Sequence, residues 1–344
     1  MKKEAYILII VVILLSGYIL YDQLYLNYRV NLNVQTNVEQ GNAPELVGIS
    51  GFFNTDEFPS ISELKGKVVL VDFWTYTCIN CIRTLPHLVE WDKKYRDKGL
   101  VIIGVHTPEF EFEKKRENVE NAIERYGIEY IVVQDNDNEI WDAYKNRFWP
   151  HKYLIDKNGN IVYDHIGEGG YEETERKIQE LLGEEDMEIS DMKDETPTQR
   201  ITSELYAGYT FSLPRGQFLG NNGVVLGTTT NYSLPRDINS NVIYLEGEWS
   251  YNGDNLESKG DSSLFLKFTA NDVNIVVNSL KETEMEVLID GKAVSKKQAG
   301  SDVEDSIVKV DEPRLYNLIK GDYGGYLLEL KVKEGFAFNA FTFG

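Results

Sequence analysis

A chain of 344 residues with 42% hydrophobic side chains is long enough for two ordinary domains, each able to bury its own core. Its 56 acidic and 35 basic side chains leave a formal charge of −21, which repels phosphate backbones and argues against nucleic acid as a partner. Only two cysteines occur, three positions apart, so there is no structural disulfide framework and all thiol chemistry is confined to one place. A secreted protein of this size needs no disulfide staples, so the scarcity of cysteine does not point to the cytosol.

The chain opens with Met1-Lys2-Lys3-Glu4, followed by seventeen uncharged, mostly aliphatic residues from Ala5 to Tyr21. As a helix this run is about 26 Å long, the short end of a membrane span. Lysines before it and acidic residues after it predict an amino terminus inside and everything else outside. A cleaved signal peptide is the competing reading, but no Ala-x-Ala-like site follows. The expectation is a membrane anchor at 1–22, a polar, Asn-rich stalk at 23–42, and extracytoplasmic folded regions thereafter.

Folding is expected from about Ala43, with an α/β domain over 43–183. Lys67–Trp74 is a nearly continuous β-branched run, the pattern of a strand buried on both faces. Ile79–Lys98 supplies an amphipathic helix with Leu85, Leu88 and Trp91 at helical spacing and Pro86 expected to kink it. A strand over 100–105, a helix over 112–126 and a strand over 130–133 continue the alternation, which implies a mainly parallel sheet covered on both sides. Trp149-Pro150 precedes a strand over 152–156, an Asn158-Gly159 turn, a strand over 161–165 and a closing helix over 172–182. Residues 184–200 lose periodicity and gain charge, which marks a linker. Beyond it, short runs at 242–245, 263–268, 273–277, 286–289, 306–310 and 326–332 are separated by Gly, Asn and Asp turns, which predicts an all-β sandwich over 201–344.

The candidate site is Trp74-Thr75-Tyr76-Thr77-Cys78-Ile79-Asn80-Cys81, between a buried strand and the first turn of a helix. Unpaired amides and the positive dipole end favour a thiolate on the first sulfur, so Cys78 is read as the nucleophile. Cys81, one turn on, is near enough to attack the resulting mixed disulfide, releasing substrate and leaving a redox-active Cys78–Cys81 bridge with no further cofactor. A lone Cys-x-x-Cys is also half of a zinc site. However, the four histidines, His87, His106, His151 and His165, show no metal-hairpin spacing. Two inert buried cysteines are the remaining structural alternative.

The block from Lys67 to Pro86 resembles the thioredoxin-like domain of DipZ-type proteins within the TlpA/ResA branch. So do Gly104–Phe110, Phe148–Asp156 and Ile166–Tyr171. Glu204–Tyr209 and Phe341–Gly344 more loosely resemble the β-rich domain that follows in those proteins, one likened to carbohydrate-binding modules and jelly rolls. The resemblance implies a thioredoxin fold and a thiol:disulfide oxidoreductase. It implies that Asp72 exchanges a proton with Cys81, that Pro150 is a cis-proline facing the sulfurs, and that Trp149, with Trp74 beside the pair, lines a substrate-docking groove. DipZ-type proteins commonly carry a multi-span electron-transfer domain ahead of this one, whereas here a single span stands there. A separate membrane donor of the CcdA/DsbD kind is therefore implied, with disulfide-containing extracytoplasmic proteins as substrates. Ile79-Asn80 replaces the Gly-Pro of ordinary thioredoxin between the sulfurs.

Two other functions fit parts of the sequence. Thr75, three before Cys78, matches peroxide-reducing relatives of this fold, although the upstream proline of those sites is missing. Alternatively the β-rich part is a binding module for a glycan or protein partner, with Tyr232, Trp249, Tyr251 and Tyr323 as candidate stacking residues.

Overall fold

Residues 41–279 and 281–344 are described by the structure, a computed structural model. The anchor expected at 1–22, and the stalk apart from Gly41 and Asn42, lie outside the described residues. Among the described residues no helix is long and apolar enough to cross a membrane.

The amino-terminal part is a six-stranded mixed sheet. Its strands are β1 (Gly51–Phe53), β2 (Val68–Trp74), β3 (Leu100–His106), β4 (Ile131–Gln134), β5 (His151–Ile155) and β6 (Ile161–Ile166), in the order β1-β4-β3-β2-β5-β6. Every residue of β2 is buried, as its unbroken apolar sequence predicts for a strand covered on both faces. The pairs β2–β3 and β3–β4 are parallel, but β1–β4, β2–β5 and β5–β6 are antiparallel. This corrects the expectation of a mainly parallel sheet: the turn at Lys157–Asn160 makes β5 and β6 a hairpin, and the chain enters β5 against the direction of β2. Gly41–Ala43 pairs with the hairpin tip, Ala43 N–H donating to Gly159 O at 2.9 Å.

Helix α1 (Ile79–Tyr95) runs through Pro86 and ends in a 3-10 turn closed by Gly99, whose φ of 104° lies in the left-handed region that glycine occupies at no steric cost. Leu85, Leu88 and Trp91 are completely buried on its inner face, each contributing about 1.5–3 kcal/mol of burial free energy. The helix predicted over 112–126 is divided into a 3-10 turn (Glu111–Lys114) and α2 (Arg116–Arg125) by extended Lys115. A short α3 (Glu139–Ala143), not foreseen, precedes β5, and α4 (Tyr171–Leu182) closes this part.

Residues 184–200 have no regular structure, but they are not free of the α/β part. Glu175 on α4, 2% exposed, gathers donors from α1 and from this segment: Trp91 Nε1 at 3.1 Å, Lys94 Nζ at 2.7 Å, Tyr95 Oη at 2.7 Å, and the Ser190 N–H and hydroxyl at 3.0 and 2.9 Å. A buried carboxylate demands such partners, and the segment supplies two of them.

The carboxy-terminal part is β-rich and antiparallel. Two long strands, Ser262–Val277 and Arg314–Val332, pair along most of their length, with a register shift at Ala270/Asp272. The first also pairs with Ile243–Tyr251 at one end and Ala337–Phe343 at the other, so the sheet curls over a core that includes Trp249, Leu264, Phe268, Ile275 and Phe341. The bulge explains why 263–268 and 273–277 read as two strands. The pair Gly324-Gly325 hides the continuity of the second strand, since glycine carries no strand signal.

Residues 41–344 form one compact unit. The two parts share apolar contacts: Tyr206, Val276, Leu315 and Ala340 of the β-rich part join the cluster that holds Phe110, Phe112 and Tyr76. Phe110 lies 5.2 Å from the Phe211 ring, which in turn stacks on Tyr206 at 5.8 Å. An ion pair from Arg125 to Glu312 closes the edge.

Candidate active site

Cys78 is the residue that caps α1. Its backbone is extended, and its sulfur accepts the Cys81 N–H at 3.3 Å, satisfying one of the free amides at the helix start. It is partly exposed, whereas Cys81, one turn on, is 1% exposed and buried among apolar side chains. Burial, together with the neighbouring Cys78 sulfur, pushes the Cys81 thiol well above its ordinary range. The two sulfurs are therefore unequal: one faces solvent and the other needs a base before it can act.

Asp72 on β2 is that base's natural candidate. It is 1% exposed, and its Oδ1 has no hydrogen-bond partner among the described residues. Burial raises its carboxyl to about 7, against an opposing pull from Lys152. Lys152 stands directly across the antiparallel β2–β5 pair, is 1% exposed, and donates to Gly167 O at 3.0 Å. Burial lowers its pKa, against the pull of Asp72.

The loop carrying Cys78 is braced from behind. Glu113, completely buried, accepts the Thr77 hydroxyl through one oxygen, and through the other the N–H groups of Glu109 and Phe110 at 2.6 and 2.9 Å. Thr75 is completely buried, with its hydroxyl 3.4 Å from His106 Nε2, so it faces the interior rather than the cleft. His106 is held neutral by burial, its pKa pushed down to about 3, and its ring stacks on Tyr76 at 5.5 Å.

Trp149 and Pro150 are joined by a cis peptide, as the resemblance implied. Trp149 and the 47% exposed Phe148 line a cleft of about 510 Å³ that also contains Cys78, Arg83, Glu109 and Glu168. Trp74 does not line it. Its ring is completely buried, edge-on to His106 at 5.2 Å and close over Gly104, where any Cβ would come within 3.0 Å of the indole nitrogen. This corrects the expectation that Trp74 takes part in docking: as the last residue of β2, its side chain points into the core. Arg83 holds the cleft floor through Glu168, with Nε–Oε2 at 2.6 Å and Nη2–Oε1 at 2.9 Å.

The rest of the cleft lining is contributed by the segment after the α/β part and by the β-rich part: Thr196–Pro197, Gln199, Ile201–Glu204, Tyr206, Arg215 and Thr342–Phe343. Of the aromatics considered for glycan stacking, Tyr232, Trp249 and Tyr251 are core residues at 3% exposure or less, which leaves Tyr323, 43% exposed. Among the described residues no group of three or more His, Cys, Asp or Glu is placed to hold a metal ion.

Several side chains that shape this site carry little signal in the sequence. Lys152 is a lysine inside a strand that is otherwise aromatic and aliphatic, which is the one hint it gives. Glu109, Glu113, Glu204 and Tyr206 come together only through tertiary packing.

A sheet of this order, with Cys-x-x-Cys heading α1 above a buried acid on the central strand, defines a thioredoxin-fold thiol-disulfide oxidoreductase. Comparison with known proteins agrees. Residues 54–164 match the AhpC/TSA family and residues 202–344 the thioredoxin-like C-terminal domain. The DipZ protein of Mycobacterium tuberculosis is 34% identical over 315 residues, 88% of this chain and 43% of that protein. This chain thus spans under half the length of that relative. The thiol-disulfide oxidoreductase ResA of Bacillus cereus is 32% identical over 121 residues, 35% of this chain and 67% of that protein. Among solved structures, the thioredoxin domain of a thiol-disulfide oxidoreductase from Bacteroides vulgatus is 29% identical, with a TM-score of 0.35, covering 40% of this chain and 96% of that one. The chain belongs to the ResA-like thiol-disulfide oxidoreductases and is a homologue of DipZ.

Proposed function

We propose that this protein reduces disulfides in extracytoplasmic proteins, held at the membrane by residues 1–22 and recharged by a membrane donor of the CcdA/DsbD type. The observation that carries this reading is the inequality of the two sulfurs: Cys78 opens onto the cleft, while Cys81 is buried near an acid that titrates at about 7.

In the forward direction the Cys78 thiolate attacks one sulfur of the substrate disulfide. A mixed disulfide forms and the other substrate sulfur leaves as a thiolate. Cys81 then passes its proton to the Asp72 carboxylate and attacks the Cys78 sulfur. The Cys78–Cys81 bond forms, the second substrate thiolate leaves and takes up a proton, and the substrate has gained two electrons. Two electrons from the membrane donor return the enzyme to the dithiol. Trp149 and Phe148 offer an apolar wall against which an extended segment of the client lies.

The direction is tested by equilibrating the enzyme with a glutathione buffer and quantifying dithiol and disulfide. A reductase has a potential near that of thioredoxin, about −270 mV, whereas a value near that of a strong oxidant, about −120 mV, reverses the direction.

A further inference from the structure

In the cleft that Cys78 lines, two carboxyl groups converge on one phenol. The Tyr206 hydroxyl lies 2.7 Å from Glu109 Oε1 and 2.9 Å from Glu204 Oε2. Glu109 comes from the loop after β3, while Glu204 and Tyr206 come from the β-rich part. All three line the same cleft as Cys78. A phenol has one proton to donate, so it cannot satisfy two carboxylates. The arrangement closes only if one carboxyl carries a proton and donates it to the phenol oxygen while the phenol donates to the other.

The surrounding charges favour that state. Glu109 faces Glu204 and, through its own backbone, the buried Glu113 carboxyl. The cation facing it is Arg215, whose guanidinium stands 3.7 Å from Glu109 Oε1 and 4.1 Å over the Tyr206 ring. Burial first, then the Glu204 charge, raises Glu109 to about 8, and burial raises Glu204 as well. The cleft wall therefore stores a proton at neutral pH.

A proton is what the first half of the exchange lacks. The sulfur displaced by Cys78 leaves as a thiolate, and an ordinary alkyl thiolate, with a pKa of about 8.5, is a poor leaving group. In a linear displacement it lies about two S–S bond lengths, roughly 4 Å, from Cys78 Sγ. Cys78 and Glu109 line the same cleft of about 510 Å³, so the expelled sulfur leaves Cys78 into a space that the Glu109 carboxyl also borders.

We propose that Glu109 is a catalytic acid that protonates the leaving sulfur of the client, with Glu204 and Tyr206 of the β-rich part keeping the proton on it. In the balanced step, the Cys78–S bond to the client forms, the client S–S bond breaks, and the Glu109 O–H proton passes to the expelled sulfur. A free thiol and the Glu109 carboxylate remain, and water reprotonates the carboxylate. The β-rich part thereby contributes to the chemistry as well as to the cleft wall.

The proposal rests on the reductase reading, and the test separates the two. The dithiol form of the full chain is mixed with a cystine-bridged peptide and, separately, with 5,5′-dithiobis(2-nitrobenzoic acid), whose aromatic thiolate leaves without a proton. The ratio of the two rates cancels the ionisation of Cys78. In Glu109→Gln the peptide-to-aromatic ratio falls about 10²-fold. In Glu204→Gln the ratio keeps its value at low pH but declines at a lower pH than in the wild type, where it declines near pH 8, because the like charge that retained the proton is gone. A ratio that Glu109→Gln leaves unchanged, both rates dropping together or neither moving, overturns the acid role. A wild-type chain that reacts with neither disulfide overturns the reductase reading beneath it.

Discussion

Asp72 is costly to bury, and its cost sets a pH dependence whose sign can be worked out. Its folded pKa of about 7 lies above the ordinary 3.8, so the unfolded chain loses this proton first, and the fold loses stability as pH rises between those values. At 1.36 kcal/mol per pH unit the gap corresponds to at most about 4 kcal/mol. Asp72→Asn, which cannot ionise, is predicted to gain stability relative to the wild type between pH 4 and pH 7 by up to that amount in urea unfolding. Single-turnover kinetics should show its release of mixed disulfide slowed. A variant whose stability tracks the wild type at every pH shows that Asp72 is not held protonated. At this scale Cys78, Cys81, Asp72 and Pro150 are legible in the sequence because the motif fixes their places on β2, α1 and the entry to β5. Lys152 is not, because its significance depends on lying opposite Asp72 in a strand pair that only the folded register reveals. Trp74 misleads for a related reason: adjacency to the motif says nothing about which face of β2 it occupies.

Helices α1 and α4 are held to each other, and to the segment after α4, by Glu175. The carboxylate is buried, which alone would raise its pKa, yet donors from Lys94, Tyr95 and Ser190 hold it below its ordinary 4.5. A depressed carboxylate stabilises the fold above its unfolded pKa and loses that contribution as pH falls through the folded value, so acid should loosen this junction below about pH 4.5. Glu175→Ala removes the acceptor of five donor groups on four residues, including the Trp91 indole, and is expected to cost about 3–5 kcal/mol, measured by denaturant unfolding at pH 7. A loss under 1 kcal/mol would show that water replaces the carboxylate. The α/β elements themselves are legible because their apolar periods are long and their stops are strong, Gly99 and Gly183 ending α1 and α4. Elements of the β-rich part blur where a bulge splits a strand at Ala270/Asp272 and where glycines interrupt another. The charged run at 184–200 reads as a linker because its polar composition conceals the residues, among them Glu184, Met187 and Ser190, that dock it.

For the whole molecule, the consequence is that the two parts build one cleft. The α/β part supplies Cys78 and the aromatic residues Phe148 and Trp149, while the β-rich part supplies Tyr206, Arg215 and Phe343. No local pattern announces this, since it arises from apolar packing of Phe110 and Phe112 against Tyr206 and Leu315, residues far apart in the chain. Everything proposed depends on Cys78 being the sulfur that meets the client and Cys81 the one that releases it. The most direct measurement is trapping: membranes carrying the Cys81→Ser chain are quenched with acid and resolved without reductant. The account predicts mixed disulfides on Cys78 that vanish on reduction and are absent from the Cys78→Ser chain. Adducts that form equally well on Cys81 in the Cys78→Ser chain, or on neither cysteine, would contradict it.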